Sequence, residues 1–151
     1  MFIGGYMKIF TKTINLESTD KIDFIDVTKK VIKLVNKSNI ENGIVNIYTK
    51  HTTASIRINE NEPRLMQDLK YFLEQEAPSC NHYLHDDIDK RPVPEDEKIN
   101  AHSHLKAILL GTSENIPLIN KKLQLGKWQS IFFVECDGPQ KRKVCINIIG
   151  N

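Results

Sequence analysis

Two strand-like runs that nearly touch constrain this chain more than any other feature. Residues 43–50 and 55–60 both read as β, and joined they would far exceed the usual strand of about 3–10 residues. The chain therefore breaks at His51-Thr52-Thr53-Ala54. A polar break between strands also sets a histidine at a strand end, where rigid scaffolds usually display reactive groups.

The remaining periodicity fills in an α+β domain. Residues 8–16 alternate with neither face clean, which suggests an edge strand. Phe24, Val27, Val31, Leu34 and Val35 recur at spacings of three and four behind the capping candidates Thr19, Asp20 and Asp23, predicting an amphipathic helix that ends within 36–39. A second helix follows Pro63, carries Leu65, Met66, Leu69, Phe72 and Leu73 on one stripe, and stops at Pro78. Residues 79–100 form a long polar loop. After it come a short apolar segment at 104–110, a short strand at 116–119, and two strands at 128–136 and 141–149 expected to pair as a hairpin around Asp137-Gly138-Pro139-Gln140. In that hairpin Cys145 falls near Phe132, away from Cys136, so no disulfide is expected between them. The fold class is α+β, mostly antiparallel sheet with two main helices, as a single domain over 7–151. Residues 1–6 read as a short extension or, with Met7, as an alternative start.

Composition narrows the function classes. A net charge of +2 lacks the basic surplus of a nucleic-acid binder, and the apolar runs are too short to cross a bilayer. Three cysteines cannot all pair within one chain, and the N-terminus lacks a secretory pattern, so a cytoplasmic location is expected. There is no phosphate-cradling glycine loop, no Gly-x-Ser-x-Gly elbow and no Asp-rich calcium loop.

All five histidines, His51, His82, His85, His102 and His104, lie between positions 51 and 104. Imidazole serves both as a base near neutral pH and as a ligand for zinc-like ions. The leading site is His51, His85 and His104 with Glu135, a carboxylate ending an otherwise apolar strand row, where burial would make it a proton donor or a metal ligand. Asp86 beside His85 is placed to orient a ring. If residues 102–104 are helical, His102 and His104 point about 200° apart and His104 is the one to keep. Arg57 is a better phosphate candidate than Lys141-Arg142-Lys143, which reads as the soluble edge of a hairpin.

The ordered motifs His51-Thr52-Thr53-Ala54-Ser55 with Asn59-Glu60-Asn61, His85-Asp86-Asp87, Asn100-Ala101-His102-Ser103-His104-Leu105, Gly126-Lys127-Trp128-Gln129 and Glu135-Cys136-Asp137-Gly138-Pro139 resemble the YjbQ-like family, often labelled secondary thiamine-phosphate synthase. The resemblance covers nearly the whole chain beyond Met7. It departs at Lys127, where the family commonly has Thr, and at Gln140, where it has Arg, a role Arg142 could take over. It implies a sandwich-like α+β fold, a homotrimer, and a pocket near the subunit boundary holding His51, His85, His104 and Glu135. Thr52, Ser55, Arg57, Asn59, Asp86, Asn100 and Gln129 are then the expected substrate-binding residues, and a divalent metal, Zn²⁺ or Mg²⁺, the expected cofactor on the three histidines. The implied reaction joins a pyrimidine diphosphate to a thiazole phosphate with loss of pyrophosphate. Alternatives with the same residues are a metal-dependent hydrolase of a small phosphoester or amide and a non-catalytic trimeric metal-binding module.

Overall fold

The computed structural model describes residues 6–151, so the expected extension at 1–6 falls almost wholly outside the described residues. In chain order the elements are β1 (Lys8–Glu17), β2 (Asp23–Asp26), α1 (Thr28–Ser38), β3 (Gly43–Thr49), β4 (Ala54–Glu60), α2 (Pro63–Glu76), α3 (Ala101–Leu110), β5 (Ser113–Ile119), β6 (Lys122–Leu123), β7 (Gln129–Glu135) and β8 (Lys141–Gly150). The strands make two antiparallel sheets, one ordered β1-β8-β3-β5-β6 and the other β2-β7-β4. The α+β class with mostly antiparallel sheet therefore holds.

The break at residues 50–53 is the crossing between these sheets. β3 belongs to the large sheet and β4 to the small one, which is why the two runs could not be one strand. Val45 and Ile47 of β3, Ile56 of β4, Ile131 and Phe133 of β7, Val144, Ile146 and Ile148 of β8, and Val31 and Val35 of α1 share one buried core. β7 is also covered on its other face, where Phe132, Val134 and Cys136 pack with Ala107, Met66 and Leu110. That double coverage explains why Ile131-Phe132-Phe133-Val134 is apolar without alternation. β8 alternates instead, burying Val144, Ile146 and Ile148 and turning Lys143 and Asn147 outward.

Three local expectations change. The expected hairpin does not form: β7 lies between β2 and β4 while β8 lies between β1 and β3, so the Asp137–Gln140 turn passes from one sheet to the other. A strand apolar on both faces and one apolar on a single face belong to different layers. Cys145 consequently faces Thr13 and Tyr48 rather than Phe132; all three cysteines are free. Phe24 belongs to β2, opposite Val134, rather than to α1, which begins where the Asp26 carboxylate accepts the Thr28 N–H at 2.8 Å. Finally, a third helix, α3, starts at Ala101 and includes the apolar segment at 104–110. β1 is an edge strand and Pro63 opens α2, as the sequence predicts, with the Glu62 carboxylate accepting the Arg64 and Leu65 N–H groups.

Candidate functional site

The crossing at 50–53 and the end of β7 meet, because the Cys136 N–H donates to the Thr53 carbonyl at 3.0 Å. Here Glu135 is fully buried. Its carboxylate accepts Nε and Nη2 of Arg142 at 2.6 and 2.7 Å, the Asp137 and Cys136 N–H groups at 2.9 and 3.1 Å, and the Ser18 hydroxyl at 3.2 Å. A guanidinium and two amides are donors only, so this carboxylate is neither placed to give up a proton nor open to a metal. Glu135 is an anchor, and Arg142, which also donates to Thr53 Oγ1 at 2.9 Å, ties the end of β7 to the crossing.

His51 stands in that crossing. Its Nε2 accepts the Lys143 N–H at 3.1 Å, and its ring lines a cavity with Thr13, Lys50, Lys143 and Cys145. Burial and then the Arg142 charge hold its pKa below the ordinary 6.5, against the pull of Glu135.

His85 and His104 form a separate pair. Their rings meet edge to face with centroids 4.9 Å apart. His85 lies on a 3₁₀ turn, Leu84–Asp86, and Asp86 Oδ1 accepts the Ala101 N–H at 3.0 Å, which pins that turn to the start of α3. The Ser103 hydroxyl donates to the Cys136 carbonyl at 2.6 Å and fixes the helix to the end of β7. Arg91 donates through Nε to the His85 carbonyl at 2.9 Å and through Nη2 to Glu97 at 2.6 Å. Asn100 Nδ2 donates to Asp137 at 3.1 Å. Burial lowers the His104 pKa, and the neighbouring His85 lowers it further, against Asp137, Glu97 and Asp86. Both effects favour the neutral ring.

The structure thus brings together His85 and His104, with Asp86 and Asn100 beside them. No hydrogen bond, ion pair or ring contact joins His51 to either among the described residues. Because α3 is helical, His102 turns away towards Lys106 and Glu74. His82 pairs with Asp87 on the surface. The other expected contacts are dispersed: Ser55 is buried and donates to the Gly111 carbonyl, Arg57 pairs with Glu114 at 2.7 Å, and exposed Asn59 and Gln129 bond to neighbouring backbone N–H groups. Thr52 is exposed.

Among the described residues no three His, Cys, Asp or Glu side chains are grouped to hold a metal ion. His85 and His104 carry imidazole, the donor that ions such as Zn²⁺ prefer, and among the described residues no third His, Cys, Asp or Glu is grouped with them. The sequence reading missed Asp137, Arg91 and Glu97 around the pair. The motif Glu135-Cys136-Asp137 was the available signal for the first; a polar loop offers none for the other two.

Comparison with known proteins gives the context. A family model described as "UPF0047 protein YjbQ-like" matches residues 12–151. A UPF0047 protein of Methanothermobacter thermautotrophicus is 40% identical over 150 residues, covering 99% of each chain. The UPF0047 protein YugU of Bacillus subtilis is 32% identical over 140 residues, 92% of this chain and 98% of its own. A solved structure from Sulfolobus solfataricus, a YbjQ-like protein of unknown function, superposes with a TM-score of 0.89 at 35% identity, covering 97% of this chain and 100% of that one.

Proposed function

The chain belongs to the YjbQ-like UPF0047 family, and from that premise we propose that it is an enzyme acting on a small phosphorylated molecule, with His85 and His104 as its proton-transfer centre. One observation carries this reading: two half-buried imidazoles held edge to face by an anchored turn and helix, flanked by Asp86 and Asp137. A structural histidine needs no such partner, whereas an imidazole beside carboxylates can take up a proton and then give it away near pH 7.

The reaction we propose is the one the family resemblance implies. A thiazole phosphate nitrogen attacks the methylene carbon of a pyrimidine diphosphate, the new C–N bond forms as the C–O bond breaks, and pyrophosphate leaves with the electron pair. An N–H of the His85–His104 pair donates to the departing oxygen, and Asn100 and Asp86 keep the helix start and the turn in register. A divalent ion, when bound, would supply a Lewis acid for the phosphoryl oxygens.

The test is turnover of those two substrates with Mg²⁺, followed as thiamine phosphate formed and pyrophosphate released. His85→Ala and His104→Ala are expected to lower kcat by about 10²–10⁴-fold, the usual range for a positioned acid or base. A proton given to the leaving oxygen comes from the protonated pair, and the His104 pKa is lowered from 6.5, so kcat/KM should fall as pH rises through a limb below that value. Absence of product above a protein-free blank overturns the reading.

The expected homotrimer and metal belong to the same proposal, since a neighbouring copy is a source of ligands beyond the two histidines that the described residues of one chain bring together. Elemental analysis of tag-free protein alongside its native mass is expected to give a transition metal on a three-chain assembly. The metal should fall to background in the His85→Ala/His104→Ala variant while the mass is kept. Metal content unchanged in the variant removes the ion from this site.

A further inference from the structure

We propose that the cavity beside His51 is a phosphate-binding site, built by Lys50, Lys143, Thr13 and the His51 ring at the start of β8, separate from the His85–His104 pair. Only its assignment to the phosphorylated substrate rests on the function proposed above. The binding of a phosphate anion does not.

The cavity holds about 180 Å³ and is lined by Thr13, Lys50, His51, Lys143 and Cys145. Its lining residues can offer several donors. A backbone N–H cannot accept, so the bond from Lys143 N requires an unprotonated Nε2 and leaves the ring proton of neutral His51 on Nδ1. Thr13 brings a hydroxyl and Lys50 and Lys143 bring ammonium groups, neither of which enters an ion pair among the described residues. No carboxylate lines this cavity. Glu135, the carboxylate whose charge acts on His51, is spent on Arg142.

Lys143 is shared with a second cavity of about 430 Å³, lined also by Lys141, Arg142 and Glu17. Strand register explains how the basic rim arises. On the outward face of β8, Lys141, Lys143 and Cys145 lie opposite Glu17, Asn15 and Thr13 of β1, so the two lysines stand on one face, Lys141 across from an acid and Lys143 across from a neutral amide. The crossing adds Lys50 from the other side, immediately after β3. Two lysines with an N–H and an O–H match the charge and the acceptor count of a phosphate dianion better than those of a carboxylate.

The probe is inorganic pyrophosphate, titrated into the full chain by calorimetry at low ionic strength, with amide and imidazole NMR shifts recorded in parallel. Lys50→Ala/Lys143→Ala is expected to weaken binding at least tenfold. Lys33→Ala/Lys37→Ala removes equal charge from α1 and should change affinity less than twofold, and His85→Ala should leave it unchanged. Addition of pyrophosphate should shift the Lys143 amide and His51 ring signals. Equal weakening by both lysine pairs, or no shift at His51 and Lys143, overturns the site. Should pyrophosphate bind in this cavity while no turnover is found, the site stands and the enzymatic reading falls.

Discussion

Replacing Glu135 by alanine is expected to cost about 3–5 kcal/mol of folding stability, the usual penalty for breaking a buried ion pair by removing one partner. At roughly 2–4 °C per kcal/mol for a chain of this size, the melting temperature falls by about 10 °C. The reason is geometric. Arg142, whose side chain is only 10% exposed, keeps its charge inside the protein and loses both bonds to the carboxylate. The Asp137 N–H and the Ser18 hydroxyl lose the same acceptor, whereas Cys136 keeps its bond to Thr53. Joining Glu135→Leu with Arg142→Met removes both charges at similar volume, so the double variant should be more stable than Glu135→Ala while still short of the wild type, because the Asp137 N–H remains unsatisfied. Urea unfolding of these variants measures the effect; a Glu135→Ala chain within about 1 kcal/mol of wild type would show that this pair does not hold the two sheets together.

That pair also marks the boundary of what the sequence reveals. The alternation of β8 buries Val144, Ile146 and Ile148, and counting back two residues puts Arg142 on the same inward side. An arginine on a core face calls for an acid, and Glu135 was already visible at the end of an apolar strand. Treating residues 141–143 as a soluble hairpin edge hid the connection, since in a hairpin all three would share one exposed rim. The two sheets themselves were half legible. The break at His51 follows from strand length alone, but nothing local says that the chain changes sheet there, or that it does so again at Asp137–Gln140. Both are decided by which faces are apolar across the assembled core, a property of all strands at once.

The candidate site was legible in the same uneven way. The rule that helical neighbours two apart diverge separates His104 from His102, and the structure sets His104 against His85. Bringing the 3₁₀ turn to the helix start depends on Asp86 accepting the Ala101 N–H, a contact across 15 positions with no periodic signature. His51 is grouped with them in the sequence because all three imidazoles fall at strand ends and loops. Its own partners, Lys143 and Arg142, come from a strand far along the chain.

The second large effect is expected at a buried cation that no motif announces. Lys106 of α3 is 1% exposed, and its ammonium donates to Glu74 of α2 at 2.6 Å; the Glu74 side chain is 39% exposed and also accepts the Ser79 N–H and hydroxyl, each at 2.7 Å. Removing one partner is therefore not equivalent to removing the other. Glu74→Ala leaves an ammonium buried without a counter-charge, at a cost of about 3 kcal/mol, the low end for breaking a buried pair because water can enter from the carboxylate's side. Lys106→Met replaces the ammonium with an apolar group of similar length beside the Ala107 and Met66 layer, and returns Glu74 to solvent, at a cost below about 1.5 kcal/mol. The pH dependence has a fixed sign. Burial pushes the Glu74 carboxyl up, but Lys106 and the Ser79 bonds pull it down to about 2 from the ordinary 4.5. A carboxyl lowered in the folded state contributes stability above its unfolded value and loses it as pH falls through its folded one, so this contribution is complete above about pH 4.5 and disappears towards pH 2. Wild-type protein should lose stability through that window, and Lys106→Met should lose less of it. Urea unfolding at pH 7 and pH 3 gives both comparisons, and Lys106→Met proving as costly as Glu74→Ala would mean that the ammonium is held by its packing rather than by the pair.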